Sequence, residues 1–326
     1  MAKNPYYINI KDPEYWLFPT CGYNPDGTVS EEQRTIVMPE GMDRNFTFTD
    51  SLMRKTADLS PDTVFTHEHH AGYETFFVET GSMDFYINGK KTRVVAPKII
   101  HMQPYQAHGF VFRDDVQFRG AFLDWNCADD SVATNILEKH YPDAKKDPRV
   151  FALLCENIDL HMRERSVFRE VAAEDMTEVK DPAHPAASFD IGGAVMKMLV
   201  ARWEYGGKKE LWCAEMKAGF SAKWEDYTPA QDLYYITSGK VRFNIYGEEF
   251  VAGQDSLVKI PKYASRSLVV EEDAVMYDIG GQTRWLALLE DWFSLKKFAP
   301  ERAADPNEIK ALKKKFNCFV EKIEMK

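Results

Sequence analysis

The feature that most constrains this chain is an internal repeat. The stretch "ETFFVETGSMDFYING" (Glu74 to Gly89) aligns without a gap on "DLYYITSGKVRFNIYG" (Asp232 to Gly247), at an offset of 158 residues. Gly81 meets Gly239 and Gly89 meets Gly247; with one deletion allowed further on, Pro104 meets Pro261. A period this long marks a duplicated domain, since solenoid repeats are several times shorter. Each copy has strand–turn–strand texture, and Asn88-Gly89 is a type I′ hairpin signal. "KIIHMQP" and "VQFRGAFLDW" continue the pattern in the first half, and "SLVKIP" and "AVMYDIGG" in the second. The expectation is a mainly β protein of two domains, 1–165 and 166–326. Roughly residues 126 to 190, including "SVATNILEKHYPDAKKDPRVFALLCENIDLHMRER", read as a helical connection with Pro-marked breaks. A C-terminal helix is expected after Asp305 as N-cap and Pro306 in its first turn, with Glu308 following. Ile309, Leu312, Phe316, Phe319 and Ile323 would form its apolar stripe, packed on the β core.

At 326 residues the chain can bury two cores. Its 41 basic and 51 acidic residues give a net charge of −10, which argues against a nucleic-acid partner. The N-terminus carries Lys3, Lys11, Asp12 and Glu14 without an apolar run, so it does not read as a signal peptide. No stretch approaches the ~18 apolar residues of a membrane helix. Cys21, Cys127, Cys155, Cys213 and Cys318 are scattered and form no CxxC pair, which suits reduced thiols and a cytoplasmic setting. There is no P-loop, dinucleotide fingerprint or GxSxG elbow, and no cofactor-binding motif is assigned.

The chemistry concentrates in "HEHHAGYE", residues 67 to 74. On a strand His67 and His69 share one face, while Glu68 and His70 take the other. Glu74 has the wrong parity to continue that strand. Ala71-Gly72 supplies a break, after which Glu74 can open the next strand on the face of Phe76 and Val78. A fourth ligand could come from His108 in "PYQAHGFVF". Three imidazoles and a carboxylate suit a first-row divalent ion, and at six-coordination they leave two positions for water, substrate or O2.

With these residues in place the chain resembles the cupin superfamily. That family's first motif pairs His-x-His with a Glu three or four residues later and a Gly after six more; here these are His67, His69, Glu74 and Gly81. Its second motif has a Pro followed by a His on a returning strand, matched by Pro104 and His108. The glycine usual before the first His, and the one usual between that Pro and His, are absent. The resemblance covers both halves and implies a bicupin of two double-stranded β-helix (jelly-roll) barrels, with a helical connection and a C-terminal helix. It implies one divalent transition metal on His67, His69, Glu74 and His108. Iron is the expected ion, and Mn, Ni, Co and Zn accept the same set.

In the second half the positions of His67, His69 and Glu74 are held by Glu225, Tyr227 and Asp232, and His108 falls opposite Ser265. No histidine follows His184. That half is expected to be metal-free and structural, or to line an organic-ligand pocket with Glu225, Tyr227 and Asp232. His101 is left in or out of the barrel by alternation. Facing out it is an ordinary core histidine; facing in it is a proton shuttle or substrate contact beside Glu74, the other candidate catalytic residue. His70, His140, His161 and His184 belong to no constellation. The resemblance implies a metal-dependent dioxygenase acting on a small aromatic or other organic molecule. The alternatives are a cupin isomerase or lyase (decarboxylase) on a small polar metabolite, or a non-catalytic binding cupin. A homodimer is expected, with the aromatic N-terminal arm available to cover a neighbour's barrel edge.

Overall fold

The computed structural model describes residues 4–15, 18–23, 29–37, 46–55, 64–69, 72–123, 149, 160–165, 167–205, 209–226, 231–280 and 285–321. Its strands open with β1 (Tyr7–Asn9), β2 (Phe18–Tyr23), β3 (Val29–Val37), β4 (Phe46–Met53) and β5 (Val64–His69). Then come β6 (Tyr73–Val78), β7 (Ser82–Ile87), β8 (Lys90–Val95), β9 (Lys98–Met102), β10 (His108–Phe112) and β11 (Val116–Leu123). The first half closes with β12 (Leu160–Arg165), β13 (Arg169–Glu170) and β14 (Val179–Lys180). The second half has β15 (Ala187–Asp190), β16 (Ala194–Val200), β17 (Leu211–Met216), β18 (Ser221–Asp226) and β19 (Asp232–Ile245). It continues with β20 (Glu248–Gly253), β21 (Ser256–Ile260), β22 (Ser265–Asp278) and β23 (Cys318–Glu321). Helices α1 (Trp285–Phe298), α2 (Pro300–Ala303) and α3 (Pro306–Phe316) precede β23. The chain is mainly β, as expected.

Contacts divide the chain into residues 14–181 and a second unit made of 1–13 with 182–326. The expected boundary at 165/166 therefore stands beside a division at Asp181/Pro182. The reason is pairing: β13 joins β8 and β14 joins β9, so both short strands extend the N-terminal barrel. The arm divides differently too. Its β1 pairs antiparallel with β21 of the same chain, Tyr7 opposite Val258.

In the N-terminal unit one sheet runs β12-β5-β10-β7-β8-β13 and the other β14-β9-β6-β11-β4-β3-β2. Their inner faces share a core that includes Phe76, Val78, Met83, Phe85, Ile87, Ile100, Phe118 and Phe122. These residues sit at alternate strand positions, as a two-sheet β core requires. The C-terminal unit carries a ten-stranded sheet along β1-β21-β19-β22-β17-β16-β15, with β18, β20 and β23 attached.

Two expectations are corrected. "LHMRER" is the strand β12, paired with β5 from Leu160–His69 to Arg165–Val64, so the helical reading fails over 160–165, and it fails again over 167–190, where β13, β14 and β15 lie. Of the remaining connection, 124–148 and 150–159 lie outside the described residues, and Arg149 is helical. At the C-terminus Asp305 caps α3 as expected, accepting from the Asn307 N–H at 2.8 Å. The helix stops at Phe316, because Asn317 takes a left-handed cap (φ 53°) and turns the chain into β23. Phe319 is thus a strand residue opposite Glu225, and Ile323 lies outside the described residues.

The repeat is visible in backbone angles. Asn88 and Tyr246 (φ 46° and 52°), Gly89 and Gly247 (78° and 88°), and Tyr105 and Tyr263 (66° and 58°) all keep the 158-residue offset. The deletion aligning Pro104 with Pro261 is therefore absent at this turn. Gly81 and Gly239 have φ +79° and +78°, and an added Cβ would lie 2.4 Å and 2.1 Å from the carbonyl oxygens of Asp115 and Asp273. Gly81→Ala is expected to lose about 1–2 kcal/mol from the left-handed backbone alone, with the clash adding to it. Urea unfolding measures this, and an unchanged midpoint would reject the assignment.

Candidate metal centre

Two sheets converge on one point. His108 opens β10 and is the cross-strand partner of His67 on β5. Glu74 lies on β6 in the opposite sheet, between Met102 of β9 and Phe122 of β11. The break after His69 and the new strand from Tyr73 follow the parity argument. Glu74 and His108 are 4% and 2% exposed, and their Oε2 and Nε2 atoms are 3.3 Å apart. The His108 Nδ1–H donates to the Gln106 carbonyl oxygen at 2.8 Å. That bond commits Nδ1 as a donor and aims Nε2 at Glu74, where it carries a proton in the metal-free protein and would offer its lone pair to a bound metal.

This pair fits a divalent ion. Two bonds of ~2.1 Å at a right angle separate their donor atoms by roughly 3 Å, close to the spacing seen. The side chains of His67 and His69 lie outside the described residues, as do His70 and His140. Among the described residues no group of three or more His, Cys, Asp or Glu gathers. His161 is on β12 opposite Glu68, and His184 is exposed in the other unit.

His101 is not brought to this point. It pairs with Thr75, one residue out of phase with Glu74, so it occupies the opposite face of the sheet. There it is fully buried, its Nδ1 2.8 Å from the Thr75 hydroxyl and its ring stacked on Tyr73. This is the outward-facing alternative, in which His101 is a core histidine on the face away from Glu74.

Burial disfavours the His108 cation, but the Glu74 charge, its hydrogen bond and the Gln106 carbonyl outweigh this and raise the pKa above 6.5. A raised pKa means the fold favours the imidazolium. Its stabilising contribution is complete below pH 6.5 and is lost as pH climbs through the folded value. NMR titration of metal-free protein should find His108 above 6.5, and Glu74→Gln should lower it; no change in that variant would reject the coupling.

The C-terminal barrel shows what replaced this pair. Asp232 is the repeat equivalent of Glu74. Arg266 on β22 pairs with Ile245 just as His108 pairs with Ile87, both at the 158 offset. The residue opposite His108 is therefore Arg266, where the gapped alignment gave Ser265. Asp232 and Arg266 form a buried ion pair, 1% and 4% exposed, and the Tyr234 hydroxyl donates to Asp232 at 3.2 Å. A guanidinium supplies the positive charge beside the carboxylate. Tyr227 and the side chain of Glu225 lie outside the described residues. The sequence reading missed Arg266, and an ungapped offset would have found it.

No protein-family model and no curated protein matches the sequence. Solved structures do. A formate complex of Lactobacillus farciminis oxalate decarboxylase has a TM-score of 0.54 at 11% identity, covering 95% of this chain and 96% of that one. A Bacillus subtilis oxalate decarboxylase structure concerned with its Mn(II) centres has 0.51 at 13%, covering 99% and 90%. A variant of that B. subtilis enzyme has 0.50 at 13%, also covering 99% and 90%. Identities this low speak for the fold, and they span both halves of the repeat. With both halves of the repeat folded as β barrels and neighbours matched over nearly the whole chain, this protein has a bicupin fold.

Proposed function

We propose that the chain is a metal-dependent cupin enzyme acting on a small organic molecule, with one divalent ion held by His67, His69, Glu74 and His108. The observation that carries this is the buried Glu74–His108 pair, contributed by facing sheets, with His108 in register with His67. A bound ion supplies a Lewis-acid centre that gathers and polarises the substrate. The chain's own residues do the rest. The Gln106 carbonyl holds the His108 ring in place, and Glu74 can accept a proton at Oε2. The rings of Phe76, Phe110, Phe118 and Phe122, with Phe76 centroids 5.0–5.7 Å from the other three, keep water from the interior.

Oxygenation of an aromatic or other organic substrate is the first reading, with iron as the expected ion. Decarboxylation is the second, favoured by the oxalate decarboxylases among the structural neighbours, one of them described by its Mn(II) centres. Metal-loaded protein given catechols and flavonols under O2, and separately oxalate, separates the two. Oxygen uptake supports the first, and CO2 released without net oxygen consumption supports the second. Turnover of neither class by protein containing metal would reject both. A homodimer is also proposed, and sedimentation showing only ~37 kDa species at micromolar concentration would reject it. Among the described residues no helix is long and apolar enough to cross a membrane.

A further inference from the structure

On β4 the residues Thr47, Thr49 and Ser51 occupy alternate positions and are fully buried. Their hydroxyl oxygens have no hydrogen-bond partner among the described residues. Buried hydroxyls are normally paired, and leaving three unpaired in a column is costly. Register fixes their direction. Thr47 stands beside Phe122, which stands beside Glu74; Thr49 beside Gly120 and Phe76; Ser51 beside Phe118 and Val78. Phe76, Val78, Phe118 and Phe122 all belong to the barrel core, and Met53, next on the same face, packs against it. The three hydroxyls therefore line the interior wall of the barrel that holds Glu74 and His108. Thr47 is two strands from Glu74, about 10 Å across the sheet, and the column is about 13 Å long.

We propose that this column is a ligand-binding wall and that the molecule it receives is a polyhydroxy acid. The inference rests on the metal-site reading, which gives the acid end its anchor at Glu74 and His108. Neutral hydroxyls both donate and accept, so they match the hydroxyl groups of a ligand and discriminate poorly for charge. No described charged side chain lies on this stretch of β4's inner face. The carboxylate or α-hydroxy acid end would go to the metal side and the hydroxylated chain would lie along β4. The strain of unpaired hydroxyls in the free protein is what such a ligand relieves.

The probes are gluconate and hexanoate, six-carbon acids with and without hydroxyl groups, titrated calorimetrically into metal-loaded wild type, Thr47→Val, Thr49→Val and Ser51→Ala. Wild type should prefer gluconate, and each variant should weaken gluconate about 3–10-fold while leaving hexanoate unchanged. In the ligand-free protein each variant should raise Tm by about 2–4 °C, because it removes an unpaired polar group. Wild type that does not distinguish the two acids, or variants that lose both equally, would overturn the proposal. So would a lowered Tm, since it would mean ordered water satisfies these hydroxyls. Metal content is measured on the same samples. Gluconate selectivity that persists and depends on the hydroxyls in protein unable to hold metal would uphold the wall and refute the metal reading instead.

Discussion

His108→Ala protein is expected to bind its divalent metal more than about 100-fold more weakly than wild type. Removing a group that merely orients a ligand costs on the order of 10–100-fold, and His108 is proposed as a ligand itself. Its Nδ1–H is already tied to Gln106 and its Nε2 is buried 3.3 Å from Glu74, so no neighbour needs to move for it to bind. Elemental analysis should give roughly one metal per chain for wild type and little for His108→Ala or His69→Ala. Glu74→Ala removes the anionic ligand and should also shift preference toward softer ions. Glu225→Gln and Tyr227→Phe, in the other barrel, should leave the metal content unchanged. Two metals per chain, or full content in His69→Ala, would refute the four-residue site.

Arg266→Met is expected to destabilise the C-terminal unit by about 3–5 kcal/mol, because it strands the Asp232 carboxylate in an apolar interior. Both members are almost fully buried, so screening by solvent does little to soften the loss. The double replacement Asp232→Leu with Arg266→Met should recover most of the stability, since a well-packed apolar pair often matches a buried ion pair. Because the chain has two units, urea unfolding needs probes in each. A loss below about 1 kcal/mol for the single variant would show that the pair is solvated or replaceable, contrary to the burial seen.

What was legible in the sequence was mostly local geometry. Asn88-Gly89 takes the two positive φ angles of a type I′ turn, and Asp305 caps its helix. Parity separated His67 and His69 from Glu74 and required the break between their strands. The harder matters were decided by tertiary pairing. "LHMRER" has residues acceptable to a helix, yet the edge of β5 recruits it as a strand. Helix α1 escaped notice because Trp285 to Leu289 are buried in succession, which erases the apolar stripe that marks a surface helix. A shared proline drew the alignment of the two halves one residue out of phase, whereas the left-handed tyrosines at 105 and 263 keep it in step. The wall on β4 was hidden for another reason. In "FTFTDS" alternation yields two faces, but Phe48 and Thr47 are both fully buried, so period alone does not tell which faces the barrel interior.

The pairing of β1 with β21 also sets a schedule for synthesis. Tyr7 leaves the ribosome about 250 residues before its partner Val258, an interval on the order of 10–50 s at ordinary elongation rates. During that time residues 14–181 can complete a barrel from contiguous chain, while the leading strand has nothing to zip onto. The second barrel thus receives one of its strands from chain made before the first barrel. Until it does, the backbone edge of β21 is open to any other extended segment, including the same segment of a neighbouring nascent chain.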